Sequence, residues 1–251
     1  MKTRWTLAAL FAFLLGTPYS LASPPGEEAA KTLLIYGASG RIGQPIVSEA
    51  VDRGYRVTGV SRNADRLAQF ADHIRIVESD ILDPAASWLL LSQHDAVIVS
   101  VGGAPVDKVP ENYIAPVAAA QLIDVLQTLG DQAPRLIFVG NLFTLEYADG
   151  KTLLEMGRVD VSNANYAMFY GHQLALDAFR ASDVNWTVAT PPNGLRLEGR
   201  TGDLVWGGDV LLRDADGRPA EISPEDFAFA VLEELEAENY VRQRFNVARR
   251  R

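Results

Sequence analysis

Cysteine is absent from all 251 residues. That one fact removes disulfides, thiolate nucleophiles, cysteine-ligated metals and lipoprotein attachment, while leaving the redox compartment open. Histidine is nearly as scarce. His73, His94 and His172 are too scattered for metal-ligand spacing, so no metal is expected, and the first two read as surface residues. A Gly-x-Ser-x-Gly elbow is missing, which leaves acyl transfer without its nucleophile. Also missing is a tyrosine with a lysine four residues on, the pair in which an ammonium lowers a phenol pKa for alcohol–ketone chemistry: Tyr166 is followed by Tyr170, and Tyr170 by Leu174. Positive charge is short as well. With 23 Lys and Arg against 32 Asp and Glu, the net charge of −9 repels a phosphate backbone, so nucleic acid is not an expected partner.

Long apolar runs are also lacking. The longest, Trp5 to Leu15, falls short of the about 20 residues that span a bilayer. It follows Lys2 and Arg4 and precedes Thr17-Pro18-Tyr19-Ser20-Leu21-Ala22, the layout of a secretory signal over residues 1–22 with a cut before Ser23. An exported, periplasmic or secreted protein with no stable membrane span after cleavage is therefore expected. The alternatives are an uncleaved anchor or a cytoplasmic chain, and the lone Arg4 does not make the twin-arginine signal that carries folded, cofactor-loaded proteins. Residues 23–30, with Pro24-Pro25-Gly26, read as a linker, and 31–251 as one domain of ordinary size.

From Lys31 onward, short β-branched runs alternate with longer helical stretches. Strands are expected at Thr32–Tyr36, Arg56–Val60, Ile74–Glu78, Ala96–Val101, Arg135–Val139, Trp186–Thr190 and Arg244–Val247. Helices are expected at Ile42–Arg53, Asn63–Phe70, Ala85–Leu91, Ile114–Leu129, Ala164–Ala181 and Pro224–Glu238. The strands are continuously apolar, as when both faces are covered. The pattern predicts an α/β fold, a Rossmann-type doubly wound, mostly parallel sheet with helices on both faces in a single domain. Asp203–Arg213 with Asp214-Ala215-Asp216-Gly217 reads as a hairpin or excursion before the last helix. The acids Glu233, Glu234, Glu236 and Glu238 read as a solvated helix face.

The first strand runs into Gly37-Ala38-Ser39-Gly40-Arg41-Ile42-Gly43 and then a helix. Gly37 supplies the positive φ of a tight turn, Gly40 lets a pyrophosphate approach the backbone, and Gly43 lets the helix pack near the strand. Amides from Ser39 to Ile42 and the helix dipole attract the anion, and the strand–turn–helix context separates this spacing from a turn that binds nothing. An NAD-preferring site places an acid about 20 residues on, against the ribose hydroxyl. Here stands Arg62, whose guanidinium can fork onto a 2′-phosphate, so NADP(H) is expected over NAD(H); Arg41 could serve the same phosphate. Asp80 and Ile81 follow the third strand, where the adenine lies, although Asp80 could equally cap a turn. Ser100 and Gly102 end the fourth strand, where small residues leave room for the ribose.

The glycine pattern, Ser61-Arg62-Asn63 and Asp80 resemble atypical short-chain dehydrogenase/reductase proteins. Asn185 to Pro192, Arg200-Thr201-Gly202-Asp203, Ile222 to Ala228 and Arg244 to Ala248 sharpen the resemblance to the NAD(P)H-flavin reductase group, related to biliverdin-IXβ reductase and NmrA-like regulators. It covers about Lys31 to Ala248. The resemblance implies that Thr190, Pro191, Pro192 and Asn193 lie along the nicotinamide, and that Asn141 and His172 match a serine and a histidine near the hydride-transfer point.

A nicotinamide that transfers hydride to a conjugated ring needs alignment and exclusion of water more than an acid–base pair. The expected function is thus NADP(H)-dependent reduction of a small-molecule acceptor, with FMN or FAD as candidate substrates. Candidate catalytic residues are Asn141, His172 and Tyr166, and Tyr166, Tyr170 and Phe143 could form a flat wall or simply be core. A non-catalytic NADP(H) sensor and an epimerase or dehydratase are the alternatives. Nothing in the sequence sets the oligomeric state.

Overall fold

The computed structural model describes residues 30–147, 149–192 and 195–250. The signal-like segment 1–22, most of the linker and Asn193 therefore lie outside the described residues. Eight strands form one sheet: β1 (Thr32–Tyr36), β2 (Arg56–Ser61), β3 (Arg75–Glu78), β4 (Ala96–Val99), β5 (Arg135–Val139), β6 (Trp186–Thr190), β7 (Leu204–Gly207) and β8 (Gln243–Arg249). Their spatial order is β3-β2-β1-β4-β5-β6-β8-β7. All pairs are parallel except β7 with β8, where Leu204 faces Arg249. The five α-helices among the described residues are α1 (Gly43–Asp52), α2 (Pro84–Leu91), α3 (Ile114–Leu129), α4 (Tyr166–Ala181) and α5 (Pro224–Ala237).

Alternation along the strands decides which side chains enter which layer. On β1, Leu33 and Ile35 pack with Ile46, Val47 and Ala50 of α1 and with Phe227 to Leu235 of α5. The intervening Leu34 and Tyr36 pack with Leu90, Leu91, Leu122 and Phe179 from α2, α3 and α4 on the other face. Both faces being covered explains why the strands read as unbroken apolar runs. This is the doubly wound single-domain sheet expected from the sequence, with the chain reversing direction across the sheet between β1 and β4.

Several expectations need correction. The predicted helix at 63–70 is a 3-10 turn over Ala64–Phe70, capped by the Asn63 side chain on the Asp65 amide at 3.0 Å. β4 ends at Val99, so Ser100 to Gly103 are already loop. The excursion is no local hairpin: β7 pairs with β8 across α5, and only Asp214–Gly217 makes a tight turn, bracketed by a bridge between Arg213 and Pro219. The acids of α5 are only in part a solvated face: Glu233, Glu236 and Glu238 keep exposed side chains, whereas Glu234 does not. Glu234 is buried, ion-paired with Arg135 at 2.5 Å, and accepts from the Asn239 and Tyr240 amides. Glu233 and Glu236 each hold Arg53, at 2.9 Å, and so tie α5 to α1. His94 is half-buried rather than exposed, with Nδ1 on the Leu90 carbonyl and Nε2 on the Thr58 hydroxyl. Burial depresses its pKa.

Candidate functional site

The turn at residues 37–43 has no room for side chains where the sequence puts glycine. At Gly37, φ is +73°, and a Cβ would lie 2.1 Å from the Ser100 carbonyl oxygen. At Gly43 a Cβ would lie 2.1 Å from the Gly37 oxygen. Gly40 differs. Its Cβ would meet only the Gly37 oxygen, at 3.1 Å, so its outer face is open to an approaching group. The α1 terminus carries no side-chain cap; Gln44 and Ile46 donate to the Gly40 and Ile42 carbonyls and Pro45 has no N–H, so the amides open to an anion are those of Arg41, Ile42 and Gly43 where the turn enters the helix. Ser39 and Ser61 share a buried hydrogen bond of 3.0 Å, which locks the turn against the end of β2.

This turn floors a cleft of about 880 Å³ along the carboxyl ends of the parallel strands. Gly37, Ser39, Gly40, Arg41, Ile42, Arg62, Asp80, Ile81, Ser100, Gly102, Asn141, Pro191 and His172 all line it. Asp80 also accepts from the Leu82 amide at 3.0 Å, so it builds a turn as well as facing the cleft. The Arg41 guanidinium donates to the Leu195 carbonyl and pins the loop after β6, while the side chain still lines the cleft. Arg62 is exposed and, among the described residues, has no ion-pair partner.

Four named residues lie elsewhere. Gly43 serves helix–turn packing. Thr190 is fully buried in the sheet, where it faces Gly140; a Cβ there would come 2.5 Å from its hydroxyl. Pro192 is buried outside the cleft lining. Tyr166 does not line the cleft either. It tilts against Tyr170 at 4.6 Å between ring centres, beside the stacked Phe143–Phe169 pair at 3.8 Å, around a small separate core with Leu154 and Val159. The aromatics expected as a ring-binding wall thus pack against one another.

Asn141 caps the short 3-10 turn after β5, its Oδ1 accepting from the Phe143 amide at 3.0 Å. Its Nδ2 donor has no partner among the described residues. His172 sits in the middle of α4, 8 % exposed, with Nδ1 buried and unpaired. Desolvation pushes its pKa down to about 4, so the ring is neutral at ordinary pH. Tyr113, tilted on His172 at 5.6 Å between ring centres, donates to the Gly103 carbonyl at 3.3 Å. Packing here is tight: a Cβ on Gly171 would lie 2.9 Å from Tyr113 Cβ.

Sequence reasoning missed Arg66, Tyr113, Leu142 and Met168, all of which line the cleft. Arg66 carries a signal, since it stands four residues beyond Arg62, inside the 3-10 turn that follows β2. The other three bear no motif, because ordinary apolar and aromatic residues become lining only when the loops are placed. The runs Arg200 to Asp203 and Ile222 to Ala228 turn out to meet in a structural knot. Buried Asp226 accepts from the Thr201 and Gly202 amides, at 2.7 and 2.9 Å, and from Arg249 Nε at 2.7 Å. That knot holds the loop leading from the cleft.

A glycine turn on the first strand, an uncapped helix behind it and a cleft across the chain reversal define a dinucleotide-binding protein of the Rossmann kind. The chain belongs to the NAD(P)H-binding family, whose profile matches residues 37–238. It is 31 % identical over 216 residues to the uncharacterised protein YwnB of Bacillus subtilis, covering 85 % of this chain and 96 % of that one. Among solved structures, a candidate exported protein of Burkholderia pseudomallei is 28 % identical with a TM-score of 0.70, covering 87 % of this chain and 99 % of its own. A candidate NADH-flavin reductase of Streptococcus pneumoniae superposes with a TM-score of 0.67 at 23 % identity, covering 88 % of this chain and 100 % of its own. These agree with the atypical short-chain dehydrogenase/reductase grouping read from the motifs.

Proposed function

We propose that the protein is an NADP(H)-preferring reductase that passes hydride to a conjugated small-molecule acceptor. The observation that carries the cofactor preference is the pair Arg62 and Arg66, both exposed, both lining the cleft at the end of β2, and both without an ion-pair partner among the described residues. No acid stands beside the ribose position to favour NAD(H), and two free guanidiniums suit a 2′-phosphate. The amides of Arg41, Ile42 and Gly43 would hold the diphosphate, and Gly40 gives it access to the backbone.

When bound, the nicotinamide supplies the hydride; a proton from water completes the two-electron reduction of the acceptor. The chain's own residues orient and enclose. Asn141 offers its free Nδ2 as a donor, and neutral His172 offers hydrogen bonding but no imidazolium proton. The missing Tyr-Lys pair argues against alcohol–ketone chemistry and against an epimerase. The flavin-reductase neighbour supports the choice of a conjugated acceptor, and the exported neighbour supports export by the segment 1–22.

Titrating the full chain with NADPH and NADH tests the cofactor. NADPH should bind at least about tenfold more tightly, and R62A/R66A should erase that difference while sparing NADH, since each removes one charge-assisted contact. Equal affinity in the parent chain would overturn the preference. Tight NADPH binding with no oxidation in the presence of flavins or quinones would instead favour a sensor. Sequencing the mature N-terminus tests export; an intact Met1 would contradict it.

A further inference from the structure

The cleft is divided by charge. The chain reversal between β1 and β4 separates its two halves, the adenosine half over β1, β2 and β3 and the nicotinamide half over β4, β5 and β6. Among the described residues the charged side chains that line it are Arg62, Arg66 and Asp80 in the first half and Arg41 from the glycine turn, whose guanidinium is held on the Leu195 carbonyl. Beyond the switch the described lining is Tyr113, Asn141, Leu142, Met168, His172 and Pro191, with apolar or small neighbours that include Ile114, Val139 and Leu195. None of these carries a charge, because the histidine is buried and deprotonated at ordinary pH.

The rim does not supply the missing cation. Lys108 donates to the Asn163 carbonyl and so bridges the two loops beside the cleft. Asp107 lies next to it in sequence, and the Asp160 carboxyl, held below the usual range by the Ser162 hydrogen bonds and by the Lys108 charge, already faces that ammonium. The field of the whole chain is also negative. An anionic arm on an acceptor would lose water here without gaining a counter-ion, which is costly in a partly buried site.

We infer that the acceptor subsite selects uncharged conjugated rings and disfavours phosphorylated or carboxylated ones. The inference rests on the reductase reading for the identity of that half, and it narrows the substrate class within it. Riboflavin then suits the site better than FMN, although the two share one ring system, and a naphthoquinone suits it better than its sulfonate. In the proposed turnover, hydride and a water-derived proton reduce the ring, and the nucleotide leaves oxidised.

Matched pairs isolate charge from shape. With the full chain and saturating NADP+, quenching of flavin fluorescence should give riboflavin a Kd about tenfold or more below that of FMN, the worth of one absent charge-assisted contact. Met168→Lys places an ammonium in the uncharged half and should close that gap by strengthening FMN alone. Equal or tighter FMN binding by the parent chain would overturn the inference, as would failure of both flavins and both quinones to bind. Reduction of the anionic member of each pair in preference to the neutral one would sink charge selection and leave the reductase standing. The expected binding order with no NADPH oxidation would do the reverse.

Discussion

Replacing His172 with phenylalanine should remove an acid sensitivity that burial builds into α4. In the folded chain the imidazole is 8 % exposed, its Nδ1 has no partner, and its pKa falls from 6.5 to about 4. Between those values the unfolded chain binds a proton that the folded chain refuses. Stability is therefore complete above pH 6.5, falls as the pH drops toward 4, and levels off below. At 1.36 kcal/mol per unit, the shift caps the loss at roughly 3 kcal/mol, of which about 2 kcal/mol falls between pH 6.5 and 5. The half-buried His94 titrates in the same direction, so the informative quantity is the difference between parent and H172F at each pH. Phenylalanine keeps the ring that packs on Tyr113 and removes the unpaired nitrogen, so the two proteins should be close in stability at pH 7.5. Urea midpoints of the nucleotide-free chain at pH 7.5, 6.5, 5.5 and about 5 measure the difference. Parallel pH curves for parent and variant would refute the claim that this imidazole is buried neutral.

Other outcomes follow from the same geometry. Gly40→Ala should fold within about 1 kcal/mol of the parent yet lose NADPH affinity, because its Cβ meets only the Gly37 oxygen at 3.1 Å and blocks the open face. Gly37→Ala should cost several kcal/mol of stability, since φ is +73° and the added carbon would sit 2.1 Å from the Ser100 oxygen. Calorimetry with and without NADPH separates the two; equal stability losses would contradict the distinct roles. Glu234→Ala strips buried Arg135 of its 2.5 Å partner and frees two amides, and should cost about 3–5 kcal/mol. Glu233→Ala, an exposed partner of Arg53, should cost less than about 1 kcal/mol in the same thermal melts.

The half of the site that binds a nucleotide was legible in the sequence because its constraints are local. A turn needing positive φ at Gly37, a close approach at Gly40 and a helix packed at Gly43 occupy seven consecutive residues, and only glycine meets all three. The strands were legible for a related reason: two buried faces demand unbroken apolar runs, and Thr32–Tyr36, Arg135–Val139 and Trp186–Thr190 were placed to the residue. Where the outcome depended on distant partners, reading failed. Glu234 looks like any helix-face acid until Arg135 arrives from β5, 99 residues away. Thr190 looks like a strand-end residue facing the ligand, yet its side chain is committed to the space left open by Gly140.

The acceptor half lacks such local demands, and that difference is itself informative. A diphosphate is the same in every nucleotide, so its cradle takes one backbone form that a motif can record. An uncharged ring asks only for apolar area and a few donors. Tyr113, Leu142 and Met168 supply this from three separate elements, and each would look equally at home in a core. Of the aromatics that do look like a ring platform, Phe143 stacks on Phe169 and Tyr166 packs on Tyr170, with Phe143, Tyr166 and Tyr170 part-exposed around a separate small core. The Phe143–Phe169 stack still matters to the site, because it seats the start of α4, the helix that carries Met168 and His172. In the proposed reductase, acceptor choice would thus be written in how α4 is seated and in which charges are left out, neither of which a linear motif can carry.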